Sequence, residues 1–408
     1  MKIGAWAIGA TLCLSQALAG SITLVGVGSI PGDAADLSAL TGTITGEKGT
    51  IPHNQLGSFG SGIAYTGSGN IFIATNDRGF SDGVTQPGYL ARFQVLEIAL
   101  DARARTLTPK LLETRLYKTE SGQNFVGASS AFDAANPSKT LRLDAEGIRV
   151  APDGNIFVSD EYGPYIYEFN RQGARIRTIP VPAKFSIAHP SASGETELSE
   201  NSSGRQSNRG MEGLAISPGG NTLFGLMQSP LLQDGGLDNN FKRIGVNIRL
   251  LKLDLKTGAT QEFVYPLDNG VQNGVNEILA INDHEFLVIE RDGLSGAAAK
   301  FKKIFRIDIK GATDVSKRPA LPRTGSAGFK PVSKTLFIDL LDSEYGLSGA
   351  AFPEKIEGLA FGPDLPDGRH VLYVTSDNDL SSTQPNWFYA FAIAADALPD
   401  FQRQVIHN

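Results

Sequence analysis

One hairpin plan recurs five times along this chain of 408 residues, and that recurrence limits the folds open to it. Each copy has a small polar or acidic residue, a short apolar strand, a turn, a second apolar strand and then a polar or acidic cluster. The clearest copy is 144–180, DAEGIRVAPDGNIFVSDEYGPYIYEFNRQGARIRTIP. There, strands from Ile148 to Ala151 and from Ile156 to Ser159 flank the turn Pro152-Asp153-Gly154-Asn155. Two further strands follow, Tyr165 to Phe169 and Arg175 to Ile179.

The other copies start at Ser61, Glu212, Glu277 and Glu357. Their strands are short, alternating or wholly apolar, and no helical period competes with them. Four-stranded units repeated four to eight times predict an all-β chain folded as a β-propeller, each blade burying a face against the next. Counting gives five blades. A sixth stays open if the first 40 residues or segment 117–143 hides a degenerate blade. The last copy lacks a clear fourth strand, and Ile22 to Gly26 is expected to supply it. Segments 118–140, 186–209 and 310–329 fall outside the plan and read as long loops on the faces.

Residues 1–19 read as a cleavable export signal. Lys2 gives the positive start, Ile3 to Leu14 the apolar stretch and Ala17-Leu18-Ala19 the small-residue cleavage site. Residues 20–408 then form one propeller domain, secreted or periplasmic. The one cysteine, Cys13, lies in the signal, so the mature protein is expected to hold no disulfide. The formal net charge of -6 and the absence of a basic run argue against nucleic acid as a partner. No mature segment is apolar for long enough to span a membrane. A monomer acting on a small anionic or ester substrate is expected.

Hairpin symmetry places the acids. Residues equidistant from a turn lie side by side, so Glu146 meets Asp160-Glu161, Glu212 meets Gln228, Glu277 meets Glu290 and Glu357 meets Asp377. The innermost strands of a propeller line its channel. Glu146, Glu212, Glu277 and Glu357 are therefore expected to ring one mouth as ligands or general base, with Asp77, Asp160, Glu161, Glu290 and Asp377 beside them as metal ligands. Such a crowd of carboxylates needs a proton, a donor or a cation, and Ca²⁺ suits an all-oxygen site. Arg78, Arg209 and Arg291 adjoin the same positions and are expected to hold an anionic substrate group. The competing structural role for each glutamate is a latch that accepts backbone N–H bonds from the next blade. Tyr162 and Tyr165 either line the mouth or pack between blades. The five histidines show no zinc spacing, and no G-x-S-x-G elbow or Walker motif is present.

The chain resembles the secreted phytase-like propeller family, the "esterase-like activity of phytase" proteins. The resemblance is carried by SGIAY…ATNDRG (61–79), the stretch 144–173, NRGMEGLAISPGGNTLFGLMQSPLLQDGG (208–236), RLLKLDLKTG with EFVYPLD (249–268), NEILAINDHEFLVIERDG (276–293) and KIEGLAFGPDLPDGRHVLYVTSDND (355–379). It implies a propeller, export, and hydrolysis of phosphoesters or esters. The rival functions are a lactonase-type metal-dependent esterase and a non-catalytic ligand- or partner-binding propeller.

Overall fold

The structure, a computed structural model, describes residues 21–46, 49–79, 88–133, 136, 139–163, 165–191, 193–268 and 272–407. The expected export signal at 1–19, with Cys13, lies outside these residues. The strands are β1 (Ile22–Ile30), β2 (Thr43–Gly46), β3 (Gly49–Pro52), β4 (Gly62–Tyr65), β5 (Ile71–Thr75), β6 (Arg92–Asp101) and β7 (Thr106–Leu116). Then come β8 (Ala145–Val150), β9 (Ile156–Asp160), β10 (Tyr165–Phe169), β11 (Arg175–Ile179), β12 (Met211–Ile216), β13 (Thr222–Met227), β14 (Asn247–Asp254) and β15 (Thr260–Pro266). Last are β16 (Gly274–Ala280), β17 (Glu285–Arg291), β18 (Lys302–Asp308), β19 (Ser333–Asp339), β20 (Lys355–Phe361), β21 (His370–Asp377) and β22 (Asn386–Ile393).

These strands form five four-stranded antiparallel blades. Blade I is β4–β7, blade II β8–β11, blade III β12–β15, blade IV β16–β19, and blade V is β20, β21, β22 and β1. The N-terminal strand β1 pairs antiparallel with β22 from Ile22↔Ile393 to Ile30↔Asn386, so the ring closes with the first strand completing the last blade. The fourth strand expected at Ile22 to Gly26 is present and longer. A sixth blade is absent from the described residues. At the start of the 118–140 segment Lys118 instead pairs with blade II, its N–H donating to the Gly173 carbonyl and its carbonyl accepting from Arg175 N–H.

Burial follows position in the blade. The innermost strands β8 and β12 are buried at every residue, their charged members included. The outer strand β19 is exposed or half-buried over SKTL. The outer strand β15 of the adjoining blade III is covered by the 310–329 segment, which pairs Val315 N–H with the Glu262 carbonyl and packs Val315, Leu321 and Phe329 on Val264. An exposed sheet edge is thereby blunted. The hydrophobic clusters lie between blades, as in Phe72 of blade I against Tyr373 of blade V, with ring centroids 4.8 Å apart.

The inner strands β4, β8, β12, β16 and β20 touch their neighbours in turn around the ring. Glycines permit that approach. A Cβ on Gly213 would lie 2.9 Å from the Ile278 nitrogen and 3.1 Å from the Glu277 carbonyl carbon. A Cβ on Gly62 would lie 2.5 Å from the Glu146 carbonyl oxygen. Backbone cannot retreat as a side chain can, so Gly213→Ala is expected to lower stability by about 1–3 kcal/mol. Chemical denaturation checks this, and an unchanged midpoint would contradict the packing account.

Candidate functional site

Four of the five first hairpins carry a register shift where the first strand begins. The shifts fall between Ala145 and Ile148, Met211 and Gly213, Val275 and Glu277, and Ile356 and Gly358. Each is a β-bulge, which re-aims the extra side chain. Matching the pairings sets Ser61, Glu146, Glu212, Asn276 and Glu357 at one equivalent position, and Gly62, Gly147, Gly213, Glu277 and Gly358 at the next. The ring at the mouth therefore carries Asn276 in blade IV. Glu277 stands one residue further on, in the glycine position, and points into the wall of the channel. There it ion-pairs with Arg149 at 2.8 Å and accepts from the backbone N–H of Leu214 and Ile278.

The second strands follow the same rule. Asp77, Glu161, Gln228, Arg291 and Asp377 occupy equivalent positions beside the mouth. Their predecessors Asn76, Asp160, Met227, Glu290 and Ser376 face the other way, because side chains alternate along a strand. Asp160 accepts from the backbone N–H of Asp144 and Tyr162. Glu290 is fully buried, accepting from Tyr265 Oη at 2.8 Å, Asn273 Nδ2 at 3.0 Å and Lys334 Nζ at 2.6 Å. Asp160, Glu277 and Glu290 thus lie outside the cleft.

The cleft itself, about 210 Å³, draws on all five blades. Among the described residues it is lined by eight carboxylates and five cationic side chains. The expected residues Asp77, Arg78, Glu146, Glu161, Arg209, Glu212, Arg291 and Glu357 are among them. Asp144, Gln228, Arg243, Asn276, Glu354, Lys355 and Asp379 are additions. Asn276 and Asp144 were within reach of register matching. Arg243, Lys355 and Asp379 come from loops or a strand's first residue, where no periodicity marks them.

Among the described residues two carboxylate groupings are present, Asp144–Glu146–Glu161 and Asp77–Asp377–Asp379, each with one oxygen per residue mutually within 4.8 Å. They differ in what already neutralises them. In the second, Lys355 Nζ sits 2.6 Å from Asp379 and 3.7 Å from Asp377, while Ser58 Oγ donates to Asp77 at 2.7 Å. In the first, Arg78 and Arg142 each stand 3.7 Å from Asp144, and Gly210 N–H donates to Glu161 at 3.1 Å. No protein donor among the described residues reaches the Glu146 carboxylate. Burial, and then the fields of Glu212, Asp144, Glu161 and Glu357, push its pKa well above the usual carboxylate range. Burial with nearby acids does the same to Glu212, whose carboxylate accepts from Gln228 Nε2. Glu161 is pushed up to about 7 by burial and Asp144. For Glu357 burial outweighs the opposing pull of Lys355 and Arg291, the latter bonded to it at 2.6 Å.

The cations divide likewise. Arg291 is committed to Glu357. Arg209 donates to the neutral Gln228 at 3.2 Å, and Arg243 to Gln272 and the Asn273 carbonyl at 3.4 and 3.5 Å. Neither forms an ion pair with a described carboxylate. Burial and the neighbouring Arg209 charge lower the Arg243 pKa to about 10. Behind the acids, Tyr162 is sandwiched between the guanidinium carbons of Arg142, at 3.3 Å from its ring centroid, and Arg205, at 4.3 Å. Arg205 is anchored by Glu197 at 2.6 Å, on the short helix α1 (Gly194–Glu200) within the 186–209 loop. Tyr162 therefore braces the cleft from behind.

The opposite mouth is crossed by residues 401–407. Gln402 N–H donates to Ile281, Gln404 Nε2 to the Val150 carbonyl, and His407 N–H to Pro152. Among the described residues the polar cleft thus joins a cation-sized set of oxygens with guanidinium groups that have no carboxylate partner.

The family described as "Phytase-like: Esterase-like activity of phytase" matches residues 54–380. An "Uncharacterized secreted protein" of Arthroderma benhamiae is 28% identical over 455 residues, covering 87% of this chain and 86% of that protein. Among solved structures, a calcium-binding regucalcin from Agrobacterium tumefaciens is similar at 11% identity and a TM-score of 0.37, covering 92% of this chain and 100% of that one. A putative 6-phosphogluconolactonase from Bacteroides uniformis is similar at 15% identity and a TM-score of 0.32, covering 84% and 93%. These structural likenesses are distant, and the propeller architecture stands on the strand pairing itself.

The raised acids set a pH dependence. Asp77, Asp160 and Asp377 have folded pKa values of about 6 against 3.8, and Glu161 and Glu277 of about 7 against 4.5, all chiefly through burial. A group raised on folding stabilises fully below its unfolded pKa and loses that contribution as pH rises through the folded one. In EDTA, thermal stability should therefore fall between about pH 4 and about pH 7. Melting scans across that range check the sign, and a steady rise would contradict it.

Proposed function

The chain belongs to the phytase-like family, and from that membership and the polar cleft we propose an exported, metal-dependent hydrolase of phosphate esters. The observation that supports this most is that Asp144, Glu146 and Glu161 line one cleft together with Arg209 and Arg243. Export is supported by the pattern of residues 1–19 and by the secreted relative. Among the described residues no helix is long and apolar enough to cross a membrane.

A hard divalent cation such as Ca²⁺ fits the first carboxylate grouping. The donors are all oxygens, mutually within 4.8 Å, and among the described residues no donor reaches the Glu146 carboxylate. Asp144, Glu146 and Glu161 would hold the ion. When bound, it supplies a Lewis acid for a phosphoryl oxygen and acidifies water. Arg209 and Arg243 bind and orient the phosphate through charge-assisted bonds. Glu212, kept basic by burial, accepts the proton of the attacking water, and Gln228 fixes its carboxylate. Arg291 and Asn276 anchor Glu357, which builds the wall between blades IV and V. Of the residues expected at the site, Glu277 and Glu290 serve as structural pairs in this scheme, and Asp160 as a turn acceptor.

The test is a hydrolase panel of phosphomonoester, phosphodiester, phytate, lactone and carboxyl ester, run with Ca²⁺ and with EDTA. Phosphate esters should be cleaved and EDTA should abolish turnover. Turnover of the lactone alone would favour the lactonase rival, and turnover of nothing a binding propeller. Glu146→Gln should lower kcat/KM by about 100-fold or more, losing about 2.7 kcal/mol of transition-state stabilisation, with the circular dichroism spectrum unchanged. Loss of the folded spectrum would instead make Glu146 a latch between blades.

A further inference from the structure

The polar cleft does not end at blade V. A second groove, of about 290 Å³, opens from it and shares Glu354, Lys355 and Asp379 with it as a common threshold. It runs outward between the loops after β17 and before β20 on one side and the loop after β21 on the other. Its walls differ in kind from the cleft's. Ala350, Phe352, Pro353 and Pro385 give apolar surface, while Ser295 and Gln384 add neutral polar groups. Cleft and groove together reach the size range of small-molecule pockets, about 300–1,000 Å³.

Both walls are built rather than loose. On one side, Asn378 Nδ2 donates to the carbonyls of Ser381 at 3.1 Å and Gln384 at 2.7 Å, and its Oδ1 accepts from Ser58 N–H at 2.9 Å. Gln55 Nε2 holds the Leu380 carbonyl at 2.8 Å. Asp379 and Leu380 follow one another in the left-handed region, at φ 52° and 56°. Non-glycine residues adopt that conformation at an energetic cost, and such strain persists where the surroundings enforce it. On the other side, Gly296 N–H donates to the Phe352 carbonyl at 2.8 Å, and the buried Lys302 ammonium grips Asp292 at 3.0 Å and the Glu354 carbonyl.

Position around the ring gives the groove its role. The carboxylate grouping that suits a cation is on blade II, the arginines without carboxylate partners are on blade III, and the groove lies over blade V, across the mouth from blade II. Lys355 lines both the cleft with its acids and arginines and the groove. We propose that the groove is the subsite for the alcohol half of the ester, taking a ring-sized group with an apolar face against Pro353 and Pro385, with Ala350, Ser295 and Gln384 setting specificity. This rests on the ester-hydrolase reading of the cleft.

Two phosphonates that cannot be hydrolysed, benzylphosphonate and methylphosphonate, separate the two ideas by calorimetric titration in Ca²⁺. Wild-type protein should bind the benzyl compound about tenfold more tightly, a difference of about 1.4 kcal/mol. Ala350→Trp fills the groove from an exposed loop and should shrink that preference to about threefold or less. Ser295→Trp fills it from the neighbouring loop of the same wall and should act alike, which guards against a folding defect in either variant. Equal wild-type affinities, or a benzyl preference that survives both variants, would overturn the groove assignment while leaving the anion site in place. Binding of neither phosphonate would overturn the ester-hydrolase reading, and the groove assignment with it.

Discussion

Backbone must meet backbone where the five inner strands converge, and this close approach governs the rest of the molecule. At Gly62, Gly147, Gly213 and Gly358 a side chain would strike the next strand or its own hairpin partner. The residue before each glycine is consequently turned by a bulge or strand start toward the mouth. Geometry that packs the ring therefore also gathers Glu146, Glu212 and Glu357 into one small volume. Blade IV solves the same contact differently. Glu277 takes the glycine position, and its carboxylate is satisfied by Arg149 and two backbone N–H groups. A buried pair of this kind is held by its hydrogen bonds as much as by its charge.

Convergence creates an electrostatic problem that the protein answers unevenly. On the blade V side, Lys355 neutralises Asp377 and Asp379. On the blade IV side, Arg291 neutralises Glu357. On the blade II side the compensation is partial, since the Arg78 and Arg142 guanidinium groups stand back from Asp144 and no described residue bonds to the Glu146 carboxylate. Buried carboxylates left in that state take up a proton or a cation. Arg209 and Arg243 present the complementary deficit, positive charge without an ion pair to a described carboxylate. Opposite deficits facing each other across one entrance are the physical basis for a site that would pair a cation with an anionic ester.

Much of the fold was legible from the chain because blade hairpins announce themselves by turn residues between apolar runs. Gly154 at φ 80° is one such turn, and Ile22 onward was readable as the missing strand of blade V. The site was legible less completely, for two physical reasons. Aligning copies on glutamate put Glu277 in the ring, whereas pairing register puts Asn276 there, and a one-residue shift exchanges mouth for wall. Treating Asp160-Glu161 as a unit, and Glu290 as equivalent to Asp377, ignored the alternation that sends Asp160 and Glu290 outward. Arg243, Lys355 and Asp379 belong to loops or strand ends, and only the folded ring brings them to the entrance. The 186–209 loop, polar throughout, gave no sign that Arg205 would be buried under Tyr162.

The central claim is that the uncompensated carboxylates of blade II hold a divalent cation. Calorimetric titration of Ca²⁺ into EDTA-stripped mature protein tests it most directly, with Glu146→Gln alongside. The account predicts one saturable ion per chain in the wild type and a loss of affinity of about 100-fold, or about 2.7 kcal/mol, in the variant. No saturable binding at millimolar Ca²⁺, or equal affinity in both proteins, would contradict it.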